Sequence, residues 1–407
     1  MKPYKNIKKY LIFIVLTMAT GMIYKLPYIQ EIFYVPLQES LNLTHSQLGN
    51  ILSIAGFFSV FGFLGSMYFI DKVSRNILIP SGLIGVGITG IFLSTFPGYY
   101  GLVLIWISFA LFSDMLYWPV VVKAIKSLGN ESEQGRIFGF FEAGRGLFDT
   151  IIVLIALYLF SKTSSLKDII LFYSLASIVI GIIVFLVLGK SETDNLKQDK
   201  TDNVSLEVIK SKQVWLVSGN IFCAYSIYCA LTYMMPFLQN EHNISPVLVG
   251  IYGMLNQYCI KMIAGPLGGY LADKKFKSPS KYFRFAFISI IIIMIFMITL
   301  SNGMFSVNFG FVLIVLFGAL VNSMKALLFA PMQEIGISEK LSGSAISLAS
   351  FIGYSPLVFC YLLYGRILDA FSGALGYKIL FIITICFGLL GLLINKKLMK
   401  EINTNRN

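Results

Sequence analysis

Apolar residues run along this chain in long unbroken blocks separated by short polar breaks. Twelve blocks are long enough to cross a hydrocarbon core as helix, which takes about 20 residues. They lie near residues 10–37, 47–70, 77–96, 100–127, 136–161, 167–189, 213–238, 246–272, 283–302, 306–331, 342–368 and 375–395, and are called spans 1 to 12. The blocks are continuous rather than alternating, which excludes a membrane β-barrel. The pattern predicts an all-α polytopic membrane protein. Its first block is too long for a signal peptide and lacks a small-residue cleavage pattern, so it is read as span 1.

Composition agrees, because 57% of the 407 residues are hydrophobic and only 13% are charged, with a mean hydropathy of +0.78. A soluble protein carries about 25% charged residues. The net charge of +12 would suggest nucleic acid in a soluble chain, so the placement of the 32 Lys and Arg decides its meaning. With the amino terminus inside, 24 of them fall in inner segments and three (Lys162, Lys167, Lys378) in outer ones. The positive-inside rule then puts both termini in the cytoplasm, as an even span count requires. The basic balance reports topology and contact with anionic lipid, with no nucleic-acid partner. The five cysteines all lie within spans and read as buried apolar residues. His45 and His242 have no Cys or His at ligand spacing, so no metal and no cofactor is expected.

One long polar stretch, residues 191–212, divides the spans six and six. It reads as a cytoplasmic linker between an amino-terminal bundle (1–190) and a carboxy-terminal bundle (213–407). Three pairs of segments match across it. Tyr24-x-x-Pro27-Tyr28-Ile29-Gln30 in span 1 corresponds to Tyr233-x-x-Pro236-Phe237-Leu238-Gln239 in span 7. Gly62-x-x-Gly65 followed by Asp71-Lys72 corresponds to Gly265-x-x-Gly268 followed by Asp273-Lys274. Trp118-Pro119 in span 4 corresponds to Ala330-Pro331 in span 10. Three pairs in register argue for duplication of a six-helix unit, giving two pseudo-symmetric bundles of the kind alternating-access transporters use.

At these residues the chain resembles the major facilitator superfamily over essentially its whole length. The loop Gly65-Ser-Met-Tyr-Phe-Ile-Asp71-Lys72-Val-Ser74-Arg75-Asn76 is similar to the family's motif after span 2, with Asp71, Lys72 and Arg75 matching and Met67, Ser74 and Asn76 departing. The copy at Gly269, Asp273 and Lys274 fits its first half. The resemblance implies that Asp71, Lys72, Arg75, Asp273 and Lys274 form a cytoplasmic gate latch. It also implies that spans 1, 4, 7 and 10 line a cavity, that 2, 5, 8 and 11 flank it, and that 3, 6, 9 and 12 face lipid.

Ionisable residues inside the apolar blocks respect that arrangement. Spans 3, 6, 9 and 12 carry none in their interiors, while the others hold Lys25, Asp114, Glu142, Arg145, Asp149, Lys261 and Lys325. A charge in hydrocarbon costs several kcal/mol unless it is paired or faces water, so such residues mark pathways. Four cations against three anions leave a weakly electropositive interior that suits an anionic ligand. Lys25, midway along span 1 beside Tyr24 and one turn from Tyr28, has the best claim to ligand contact. Lys325 and Lys261 follow, and the aromatic residues Tyr117, Trp118, Tyr228 and Tyr233 lie close to the charged layer. In span 5, Glu142, Arg145 and Asp149 sit at i, i+3 and i+7 and form a ladder on one face. It reads either as a structural clasp or as a gate in which Arg145 meets solute in one state and its carboxylates in another. Asp114, Glu142 and Asp149 are the candidates for proton coupling.

The stretch Trp118-Pro119-x3-Lys123 and then Glu133-Gln134-Gly135-Arg136 is similar to the span 4–5 junction of organic-anion and organophosphate carriers of the superfamily. Span 7 lacks the paired basic residue of phosphate-ester exchangers, and span 5 lacks the drug exporters' glycine-proline motif. The function expected is secondary active transport of a small anionic organic solute by rocker-switch alternating access. The protein is expected to act as a monomer in the plasma (inner) membrane, with a proton or counter-anion as coupling partner. A proton-coupled carrier of a neutral sugar or drug-like solute is the alternative, and a non-transporting membrane sensor or scaffold is the alternative from another class. No nucleophile, metal-ligand or His-centred arrangement supports an enzyme.

Overall fold

The computed structural model describes residues 2–69, 73–128, 134–189, 209–300, 307–335 and 339–406. Asp71, Lys72 and most of the linker lie outside the described residues. All the elements seen among the described residues are helical. Ten of the helices are long and apolar enough to cross a membrane. The other two of the expected twelve are span 1, which breaks after Lys2–Ile23 and resumes as Gln30–Ser40, and span 2, a 25-residue helix over His45–Phe69.

Where the spans break follows the duplicated motifs. Span 1 turns over residues 24–29, at Tyr24 and Pro27, and span 7 turns at 232–233, between Lys212–Leu231 and Met234–His242. Span 4 widens into a π-helix over Leu111–Tyr117 and restarts as Trp118–Lys126, while span 10 turns at 327–329 and restarts as Ala330–Glu334. Proline cannot donate to the preceding turn and is tolerated best at the start of a helical segment. Pro119 and Pro331 sit there, while Pro27 lies within the turn ahead of Gln30.

Close packing repeats as well. A Cβ on Gly62 of span 2 would lie 3.1 Å from Met115 Cβ of span 4, and a Cβ on Gly268 of span 8 would lie 2.7 Å from Ser323 Cβ of span 10. Small residues at such crossings let helix backbones approach in lipid, where apolar burial gives no preference for protein over solvent.

Two compact units result. The first comprises Met1–Asn42, Ile54–Gln198 and Pro246–Met254, and the second Leu43–Ser53, Asp199–Ser245 and Leu255–Asn407. Their boundaries follow packing rather than chain order in two places. In the first unit, Pro246–Met254 packs on spans 1 and 5, with Gly250 against Leu157 and a Cβ on Gly253 falling 2.8 Å from the Glu31 carbonyl. In the second unit, the start of span 2 packs on span 11. Thr44 and Gln47 cap its first turn reciprocally, with Thr44 N donating to Gln47 Oε1 at 2.9 Å and Gln47 N to Thr44 Oγ1 at 3.2 Å. The Asp369 carboxylate accepts from His45 N at 2.9 Å and Ser46 N at 2.7 Å. A carboxylate at exposed helix N–H groups satisfies two of the donors that a helix start leaves open.

Candidate functional site

In the first unit, spans 1 and 5 meet through glycines. A Cβ on Gly21 would lie 2.7 Å from Phe148 Cδ1, and one on Gly144 2.9 Å from Thr17 Cγ2. This approach brings Lys25 Nζ to 2.5 Å from Asp149 Oδ1, with the two side chains 2% and 8% exposed. Asp149 also stands 3.9 Å from Arg145 Nε, and Arg145 Nη1 lies 3.4 Å from Glu142 Oε1. The charges thus run Lys25, Asp149, Arg145, Glu142, from a sealed pair to a carboxylate whose side chain is 50% exposed. Two cations and two anions balance. The Lys25–Asp149 pair is the short one, and both ion pairs of Arg145 are longer.

Aromatic rings fix the arginine. Its Cζ lies 5.6 Å from the ring centroids of both Tyr24 and Trp118, and those two rings meet edge to face at 6.2 Å. Tyr28 packs on Tyr24 at 5.8 Å. Guanidinium over an aromatic face gains quadrupole attraction while its edge stays available for hydrogen bonds.

Asp114 sits on the π-helical turn of span 4 and is 6% exposed. Ser59 Oγ of span 2 donates to its Oδ2 at 2.5 Å, and the hydroxyl of Tyr24 also bonds to it, while Ser113 Oγ donates to the Phe109 carbonyl at 2.8 Å. Among the described residues Asp114 forms no ion pair. Tyr24 therefore touches both the arginine and this hydroxyl-bound carboxylate. Tyr117 is fully buried, its hydroxyl 2.7 Å from Thr20 Oγ1 of span 1.

The second unit holds its own cation. Lys325 Nζ lies 3.5 Å from the Tyr228 ring centroid and 5.5 Å from that of Tyr225, which packs in turn on Tyr354. Lys261, at the end of a second π-helical turn in span 8, is exposed. Tyr233 is fully buried and donates to the Tyr361 carbonyl at 2.7 Å, with its ring against Tyr364. It packs span 7 on span 11. Of the latch residues, Arg75 Nη1 donates to Ser127 Oγ at 3.0 Å, Asp273 and Lys274 are exposed, and Asp71 and Lys72 lie outside the described residues.

Sequence reading missed Ser59 and Thr20, the hydroxyls that reach Asp114 and Tyr117, and Tyr225 beside Lys325. A lone hydroxyl residue in an apolar span is the only signal they give, and such residues more often bond their own helix, as Ser108 does to Leu104 O.

The sequence profile described as Major Facilitator Superfamily matches residues 10–355. The chain belongs to that superfamily. It is 42% identical over 409 aligned positions to the inner membrane protein YihN of Escherichia coli K12, with 98% of this chain and 97% of that protein covered. It is 26% identical to the inner membrane protein YqcE of the same organism, with 92% and 91% covered. Among solved structures it is similar to a bacterial homolog of the human lysosomal transporter Spinster, at a TM-score of 0.71, 14% identity and 98% and 97% coverage. It is likewise similar to the nucleoside transporter NupG, at a TM-score of 0.71, 13% identity and 97% and 99% coverage. At those identities the likeness shows the fold alone. As a superfamily member the protein is an integral membrane protein of the secondary transporter class.

Proposed function

We propose that this protein carries a small anionic organic solute across the plasma (inner) membrane by rocker-switch alternating access, with Arg145 as the residue that receives the anion. The observation that carries this reading is the aromatic seat of Arg145 between Tyr24 and Trp118, combined with its long ion pairs. Lys25, the stronger expectation from sequence, is closely paired with buried Asp149, and breaking a buried pair is costly. Arg145 is held by rings and has weaker ionic ties, so a solute carboxylate displaces the half-exposed Glu142 at small cost. Planar bidentate recognition of a carboxylate is what a guanidinium does better than an ammonium. Tyr24, Tyr28 and Trp118 supply apolar faces for the organic part of the solute. Within the second unit Lys325 is likewise held by rings, those of Tyr228 and Tyr225.

For coupling, Asp114 is the proposed proton site. Its buried carboxylate is reached by hydroxyls, which can partner it with or without a bound proton. Its bond to Tyr24 places it one side chain from Arg145, so solute arrival and proton binding share a partner. The inner-membrane location follows the naming of the two Escherichia coli relatives.

Uptake into proteoliposomes of the full chain, using a panel of carboxylates, sugar acids, phosphate esters and neutral sugars with and without a pH gradient, tests the reading. Saturable flux of a carboxylate or sugar acid is the expected result. Carriage of a neutral sugar with no flux of any anion would overturn it.

A further inference from the structure

Away from the charged cluster, the second unit carries a groove of about 760 Å³ at one end of spans 9 and 12. Four cations line it, Arg284 from span 9 and Lys396, Lys397 and Lys400 from span 12, together with Leu393 and Met399. Span 12 is one helix over Ala374–Arg406, 33 residues long. At about 1.5 Å per residue its first 20 or so residues cross the hydrocarbon, so Lys396 stands at headgroup depth. The positive-inside count assigns this end to the cytoplasmic leaflet.

The groove is built on one helix face. Leu393, Lys396 and Lys397, Lys400, and then Asn403 and Thr404 recur at helical spacing, while Asn395, Leu398 and Ile402 face inward and are buried. Below it the two helices are locked together. A Cβ on Gly391 would lie 2.6 Å from Phe287 Cζ and one on Gly388 2.8 Å from Ile291 Cγ1, so the two helices are in close contact there. Carboxylates do not neutralise the cations: among the described residues none of the four forms an ion pair, and the nearest acid on the helix, Glu401, is bound to Lys212 at 2.7 Å. Toward the bilayer interior the same two helices expose Leu393, Leu390 and Leu389 on span 12 and Ile288 and Ile292 on span 9. Cations at headgroup level above an apolar track match one ligand chemistry, a phosphate joined to acyl chains. A soluble phosphate would use the cations and leave the track idle.

We propose that this groove binds the headgroup of an anionic phospholipid of the cytoplasmic leaflet, with a two-phosphate lipid of the cardiolipin type preferred over a single phosphate. The four cations offset two phosphates with charge left for the rim, and the groove has the size of a headgroup site. Lipid bound there staples span 9 to span 12.

The test is native mass spectrometry and thermal stability of the full-length protein in neutral detergent, with cardiolipin, phosphatidylglycerol or phosphatidylcholine added. Wild type is expected to retain cardiolipin at least about tenfold more than phosphatidylcholine and to melt higher with it, as mass action requires of a ligand that binds the folded state. Replacing Lys396, Lys397 and Lys400 together by Gln is expected to abolish both effects while leaving the melting point in neutral detergent unchanged, since all three side chains are exposed. Replacing Lys274, Lys275 and Lys277 by Gln removes as many cytoplasmic charges elsewhere and is expected to leave the preference intact. Retention of the preference in the first variant, or its equal loss in both, overturns the proposal. So does stabilisation by pyrophosphate equal to that by cardiolipin, which would make the groove a site for a soluble anion.

Discussion

Lys25 Nζ and Asp149 Oδ1 lie 2.5 Å apart across spans 1 and 5, 124 positions distant in the chain, with both side chains almost fully buried. Each charge is stabilised mainly by the other, with Arg145 Nε farther off at 3.9 Å from Asp149, so removing either one weakens the compensation of its buried partner. Lys25→Met and Asp149→Leu are each expected to cost about 3–5 kcal/mol of stability, while the double replacement recovers most of it. Thermal melts of the purified single and double variants read this directly. Additive losses in the double variant would show that the pair is not coupled.

The start of span 2 makes a second stability argument. Asp369 satisfies His45 N and Ser46 N, beside the reciprocal Thr44–Gln47 cap. Asp369→Ala is expected to lower stability by about 1 kcal/mol, and Asp369→Asn by less because an amide oxygen still accepts. The comparison of their melting temperatures with wild type checks the order. Equal losses would mean that charge, not acceptance, carries the cap.

Much of the fold was legible because membrane spans write themselves in long apolar blocks, and because the duplication repeats its prolines where helices restart, at Pro119 and Pro331. The ladder in span 5 was legible for a local reason: Glu142, Arg145 and Asp149 share a face at helical spacing whatever packs on them. Partners from other spans were not. Nothing local in the sequence says that Lys25 meets Asp149, since that depends on Gly21 and Gly144 letting two helices approach. Tyr233 shows the converse, for its place in a cavity-type span concealed that its hydroxyl turns inward to Tyr361. The π-turn that presents Asp114 has no local signature either, because one extra residue per turn leaves apolar periodicity nearly unchanged.

Arg145 carries the sharpest test of solute recognition. Arg145→Lys keeps the charge but loses the planar edge and much of the stacking against Tyr24 and Trp118. Losing a charge-assisted contact of about 2–3 kcal/mol corresponds to roughly 30- to 150-fold in affinity. Arg145→Lys is expected to raise the half-saturation concentration for anion uptake by that order, and Arg145→Gln to abolish uptake. Trp118→Leu is expected to raise it less, roughly three- to tenfold, by loss of cation–π support. Proteoliposome kinetics with unchanged half-saturation in Arg145→Lys would remove Arg145 from the recognition site.

Asp114 separates coupling from recognition. Its carboxylate meets Ser59 and Tyr24, and Tyr24 in turn faces Arg145. Asn replaces the carboxylate with an isosteric neutral group that those hydroxyls can still satisfy, so folding is expected to survive. If Asp114 carries the coupled proton, Asp114→Asn behaves as a permanently protonated site. It then retains solute exchange between equal pools within about twofold of wild type, and loses accumulation driven by a pH gradient. A gradient of one pH unit is worth about 1.4 kcal/mol per proton, so wild type is expected to concentrate solute about tenfold under it and the variant not at all. Accumulation in the variant equal to wild type would place the coupling proton elsewhere, with Glu142 the next residue to replace because its side chain is the most exposed of the ladder.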